Sequence, residues 1–147
     1  MISYNAQDVA IPTFSKREIS NWIKQVVTLQ NYKVGDVSYI FCSDAKILEI
    51  NIHYLHHDYY TDIITFDYTE KSKISGDIFI SVDTVRSNAQ KYSQSYEQEL
   101  LRVMIHGIFH LCGQKDKTAE HRDEMTNKEN NALAIYANRQ KMTRKTF

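Results

Sequence analysis

The stretch SYEQELLRVMIHGIFHLCGQKD, residues 95–116, decides how the rest of the chain folds. Ser95 and Gln98 stand at the spacing of a capping box, which opens a helix by giving its unpaired amide hydrogens a side-chain acceptor. Gly113 is the residue type that lets a helix end in a turn. Between those marks, Leu100, Leu101, Val103, Met104, Ile105, Ile108, Phe109, Leu111 and Cys112 leave almost no polar face. A helix apolar all round is a buried one, so the pattern predicts a central helix wrapped by the other elements. His106 and His110 are four residues apart, hence one turn apart on one face, where both imidazoles reach a single point. After Gly113 turns the chain, Asp116 brings a carboxylate back toward that point, completing the pattern His-x3-His-x5-Asp.

Two readings of the histidines compete: ligands of an ion, or hydrogen-bonded core residues. Spacing alone is weak, because His53 and His57 repeat it in another segment and short motifs recur by chance. Context separates the two pairs. Unpaired imidazoles are costly to bury in an apolar helix, and here a carboxylate follows directly after a glycine turn. Three protein ligands leave a coordination position for water or substrate, whereas structural zinc sites use four, so the pattern favours catalysis. Zinc is the first choice; a carboxylate in the set also admits manganese, nickel or iron. His121, five residues on, is the substitute third ligand, and Cys112 reads as a buried thiol.

Working outward, Met1–Asn5 reads as an edge strand, followed by a connection holding the only proline, Pro12. Ser15 and Glu18 repeat the capping-box spacing before Ile19, Trp22, Ile23, Val26 and Val27, an amphipathic helical stripe. Asp36–Cys42 alternates as a strand. Ser43 or Asp44 caps a helix through Leu55, and a polar run then leads into a strand over Thr61–Phe66. Its apolar residues Ile63, Ile64 and Phe66 occupy both faces, which suggests an interior position. A loop around Glu70–Lys73 permits a hairpin with the strand Ile74–Val82, where Gly76 is a candidate bulge. Ser81 or Asp83 caps a helix with Val85, Ala89 and Tyr92, and Thr118 caps a last helix through Met125, Leu133 and Tyr136. The order β-α-β-α-β-β-α-α-α predicts an α/β fold of α+β-like character: a four-stranded mixed sheet packed by about five helices.

A chain of 147 residues suits a single domain, 1–147. Its mean hydropathy of -0.49, with no apolar run of the roughly 18 residues a membrane span needs, describes a soluble protein. Met1–Ala10 lacks the apolar segment of a signal peptide, which points to the cytoplasm. Cys42 and Cys112 fall within apolar patterns and read as reduced, buried thiols. A formal net charge of zero gives no general attraction to nucleic acid. The one basic run, Arg139–Phe147, reads as a solvated, frayed end or an RNA contact.

The segment His106-Gly-Ile-Phe-His110-Leu-Cys-Gly113 resembles the signature of the YbeY family, His-Gly-x-Leu-His-Leu-x-Gly-Tyr-Asp-His. Thr61-Asp62-Ile63-Ile64-Thr65-Phe66 is similar to that family's Thr-Asp-Val-Leu-Ser-Phe block, Gly76-Asp77-Ile78 to its Gly-Asp-Ile block, and Asn51 falls where it has asparagine. The resemblance implies a zinc-dependent endoribonuclease acting on single-stranded rRNA of the small ribosomal subunit, in 16S rRNA 3'-end maturation and ribosome quality control. Its ligands would be His106, His110 and Asp116, and its water, activated by the ion, would attack a phosphodiester. Asp116 replaces the family's third histidine, Gln114-Lys115 its Tyr-Asp, and Leu55 an arginine expected to hold phosphate. His53, His56 or His57 are candidates to replace that arginine, and Arg86 and Lys91 are further phosphate-binding candidates. Glu99 is a candidate general base or an ordinary surface acid. The rivals are a metalloprotease-like hydrolase, weakened because Gly107 stands where such enzymes carry glutamate, and a non-catalytic ribosome assembly factor with a structural metal.

Overall fold

The computed structural model describes residues 1–56 and 61–145, and over them the elements run in the predicted order. They are β1 (Ile2–Ala6), α1 (Lys16–Leu29), β2 (Lys33–Cys42), α2 (Asp44–Leu55), β3 (Ile63–Asp67), β4 (Lys73–Ser81), α3 (Val82–Lys91), α4 (Tyr96–Leu111) and α5 (Ala119–Lys145). Serine caps set four of the helix starts: the hydroxyls of Ser15, Ser43, Ser81 and Ser95 accept from the amides of Glu18, Lys46, Thr84 and Gln98. Each satisfies a donor that the first helical turn leaves unpaired. Where two caps competed, serine wins. Asp44 instead accepts from the hydroxyls of Ser81 and Thr84, and Asp83 from the Asp44 amide, which ties the starts of α2 and α3 together.

The four strands form one mixed sheet in the order β1-β2-β4-β3. β1 and β4 both pair with β2 in parallel, and β3 pairs with β4 as the antiparallel hairpin. The expected interior position of Thr61–Phe66 is corrected: β3 is an edge strand. It is apolar on both faces because helices cover both. Ile63 packs with the main core beside Gly107 of α4, while Ile64 and Phe66 join Ile47 and Ile50 of α2 on the other side. Alternation reports the layers above and below a strand, not its lateral neighbours.

The bulge is also corrected. Val34 pairs with Ile74 and Val37 with Gly76, so the extra residue lies in β2, at Gly35–Asp36, and not at Gly76. That interruption hides the start of β2 at Lys33 from a reading of alternation. Gly76 is needed for close approach: a Cβ there would overlap the Phe66 carbonyl oxygen and lie 2.9 Å from Leu111 Cδ2. Because the obstacle is the backbone of a paired strand, Gly76→Ala is expected to cost about 3 kcal/mol, the upper end for overpacking. Urea denaturation checks this; a loss within about 0.5 kcal/mol, typical of surface substitutions, would mean that β3 yields freely.

The main core lies between one face of the sheet and α1, α4 and α5. Trp22, Tyr39, Phe41, Met104, Ile105 and Phe109 are all buried there. Two hydrogen bonds cross it: Tyr39 Oη donates to the Met104 carbonyl at 2.8 Å, and Trp22 Nε1 to that of Ala132 at 2.8 Å. Ten residues of α4 are buried, from Glu99 to Leu111. Glu99 is therefore no surface acid; burial raises its carboxyl pKa, against the pull of Arg102. The basic end is not frayed over its described part, since α5 continues through Lys145 and lies along α1. Arg139 donates to Gln25 at 2.7 Å and Gln140 to Glu18 at 3.0 Å. Among the described residues no helix is long and apolar enough to cross a membrane.

Candidate metal centre

The site begins with how α4 ends. Gly113 adopts φ +90°, with its amide bonded to the His110 carbonyl and the Gln114 amide to the Phe109 carbonyl. This is the paired bonding of a Schellman turn, which a left-handed glycine closes without strain. The chain reverses over the His106–His110 face. The buried Gln114 side chain then fastens the loop: its Nε2 donates to the Lys115 carbonyl at 2.9 Å and to Glu124 of α5 at 3.2 Å.

As a result Asp116 meets both histidines. Its Oδ2 lies 3.2 Å from His106 Nε2 and 3.3 Å from His110 Nε2, and the imidazole centroids are 4.5 Å apart. The other ring nitrogens are occupied. His106 Nδ1 bonds Glu129 Oε2 at 2.6 Å, and His110 Nδ1 donates to the Gln114 carbonyl at 3.0 Å. With both Nδ1 atoms acting as donors, both neutral rings turn an Nε2 lone pair toward the carboxylate. Three electron-rich atoms facing one another need a cation or a proton between them.

The spacing fits an ion. Ligand atoms about 2.0–2.1 Å from zinc in a tetrahedral set lie about 3.3–3.4 Å apart, close to the two separations above. All three candidate ligand atoms lie within 4.8 Å of one another. Burial opposes charge on His106, but the Glu129 hydrogen bond and the carboxylates of Glu129, Asp116 and Asp62 outweigh it and raise its pKa. At His110, burial and the neighbouring His106 keep the pKa below the usual histidine value.

Glu129 is the main feature that spacing arguments missed. It is 7% exposed, and its second oxygen is held by Arg102 Nη1 at 2.9 Å, while Arg102 Nη2 donates to Asn130 Oδ1 at 2.8 Å. A signal existed: Glu129 falls four residues after Met125 and four before Leu133, an acid inside an apolar stripe. Such a carboxylate orients a ligating imidazole and strengthens it as a donor. Glu129→Gln is expected to weaken binding of a divalent metal ion about tenfold and Glu129→Ala up to about a hundredfold, read by competition with a chromophoric chelator. Equal affinity in all three proteins would remove Glu129 from the site.

The remaining candidates lie elsewhere. His121 lines the same cavity as His110 and Asp116 but is outside the converging group. His53 lines a separate cavity beside Lys46 and Tyr54. His56 closes α2 in a left-handed conformation, and His57 falls outside the described residues. Leu55 is exposed and Asn51 buried. Arg86 stacks over Tyr96 and Lys91 lies over Tyr92, and neither lines the cavity at Asp116. Both cysteines are free, with burial pushing the Cys42 thiol up to about 12 and Cys112 up to about 11.

The chain is also similar to known proteins. The family described as Endoribonuclease YbeY matches residues 2–137. The chain is 58% identical over 134 residues to the Endoribonuclease YbeY of Parabacteroides distasonis, covering 91% of this chain and 94% of that one. It is 57% identical over 135 residues to that of Phocaeicola vulgatus, covering 92% and 98%. The solution structure of TM1509 from Thermotoga maritima has a TM-score of 0.65 at 26% identity, covering 95% of this chain and 93% of that one. With its three sequence blocks, its sheet order and a family match over nearly its whole length, this chain belongs to the YbeY family.

Proposed function

We propose that the chain, acting as a single domain, is a zinc-dependent endoribonuclease that cuts single-stranded rRNA of the small ribosomal subunit in the cytoplasm, during 16S 3'-end maturation. His106, His110 and Asp116 would hold the ion. One observation carries the site: both imidazoles have their Nδ1 atoms occupied and their Nε2 atoms turned on one Asp116 oxygen. Held by these three residues, zinc would supply a water acidified to a pKa of about 7 and a Lewis acid for a phosphoryl oxygen.

The protein's part is positioning. Glu129 and the Gln114 carbonyl fix the two imidazoles, and the Gln114 side chain holds the loop that presents Asp116. A cavity of about 650 Å³ beside His110 and Asp116 gives room for a nucleotide. The peptidase reading meets an obstacle at Gly107. A Cβ there would lie 3.0 Å from both Ile63 Cδ1 and Ile78 Cγ2, so a glutamate after His106 would run into the sheet and miss the ligand cluster.

The test gives one zinc-loaded preparation a single-stranded fragment spanning the 16S rRNA 3' end and, separately, a peptide mixture. RNA cleavage that stops with chelator and returns with zinc is expected, with the peptides intact. Cut peptides and intact RNA would establish the protease instead. Neither substrate cut, with small-subunit binding retained, would establish an assembly factor.

A further inference from the structure

RNA is a polyanion, yet this chain has a formal net charge of zero, so substrate attraction must come from local cations. The cavity at the metal centre is lined by His110, Gly113, Gln114, Lys115, Asp116, Lys117, Thr118 and His121. Its formally charged side chains are Lys115, Asp116 and Lys117, and Asp116 is committed to the ion site. Two ammonium groups remain, with no other carboxylate in that lining to neutralise them. Both lysines are exposed, and neither makes an ion pair among the described residues.

The neighbouring cations are engaged. Arg102 is bound to Glu129 and Asn130, and Lys128 lies over the Phe109 ring. Arg122 Nη1 donates to the Lys117 carbonyl at 2.8 Å, and Gln114 Nε2 to the Lys115 carbonyl at 2.9 Å. The backbone is thus fastened at both lysines, and their side chains leave from a fixed frame on either side of Asp116.

We infer that Lys115 and Lys117 form a phosphate-binding subsite beside the metal centre, gripping the RNA phosphate adjacent to the one cleaved. The inference rests on the RNA substrate and the metal centre argued above. The lysines bind backbone and read no base, so they add affinity without sequence preference.

The experiment follows a labelled single-stranded RNA oligomer binding to the zinc-loaded full-length protein by stopped-flow anisotropy, before turnover, across a KCl series. The native chain is compared with Lys115→Ala, Lys117→Ala, the double variant, Lys117→Arg, and Lys24→Ala on α1 as control. Each phosphate contact to a single strand contributes about 0.7 to the slope of log affinity against log salt. The slope is expected to shrink by about 0.7 in each single alanine variant and about 1.4 in the double variant. Lys117→Arg and Lys24→Ala should keep the native slope, and zinc content should stay native throughout. A double variant with native slope and full zinc content would overturn the subsite. Native protein that binds no RNA would overturn it together with the RNA substrate. Absent zinc with the slopes falling as stated would end the metal reading and leave the subsite standing.

Discussion

Replacing His110 with alanine is expected to take zinc content from about one ion per chain, the three-ligand catalytic stoichiometry, to near zero. RNA cleavage should fall by about a thousandfold or more, because the ion's charge stabilisation of the transition state is worth several kcal/mol. Two remaining ligands do not make a zinc site of the ordinary kind. The change should not unfold the chain, since the His110 side chain is 25% exposed and, among the described residues, bonds outside the cluster only to the Gln114 carbonyl. Asp116→Ala should behave alike, while Asp116→His, which restores the three-histidine pattern of the family, should retain zinc. Zinc by atomic emission and cleavage rates on the same preparations decide the matter. Native zinc content in both alanine variants would refute this ligand set.

Trp22→Ala should produce the largest loss of stability, about 4 kcal/mol, in the range for truncating a buried tryptophan. Trp22 is fully buried on α1, donates to the Ala132 carbonyl of α5 and meets Tyr136 edge to face at 5.1 Å. Its loss removes apolar burial, a hydrogen bond and an aromatic contact at one point. For a domain whose total stability is about 5–15 kcal/mol, that is a large share, and the melting temperature should drop on the order of 10 °C. Trp22→Phe keeps an aromatic ring, though a smaller one, and loses the donor, so it should cost less than Trp22→Ala. A cost below about 1 kcal/mol for Trp22→Ala would contradict the view that this contact closes α5 onto α1, where Glu129 is carried.

The two predictions meet at α5. The site depends on Glu129, which α5 must deliver, and Trp22 is part of what holds that helix in place. Glu129 and His106 are 23 residues apart, and their 2.6 Å hydrogen bond exists only when α5 lies across α4. The short-range half of the site needs no such packing: one helical turn aligns His106 with His110, and a glycine turn returns Asp116.

The same division runs through the fold. Capping serines, helical stripes and alternating strands were legible because they depend on neighbours within about four residues, and the predicted order of elements holds over the described residues. The lateral place of β3 was not, since covering helices on both faces imitate the burial of an interior strand. Nor was the β2 bulge, which interrupts the alternation that reveals strands.

By itself, then, the sequence determined the element order, the helix starts and a trio of candidate ligands, all set by local backbone geometry. Only the tertiary structure decided which strand is the edge, which carboxylate backs His106 and which lysines stand free at the cavity. Those depend on contacts between segments far apart in the chain, and such contacts are chosen by packing and charge pairing, not by spacing.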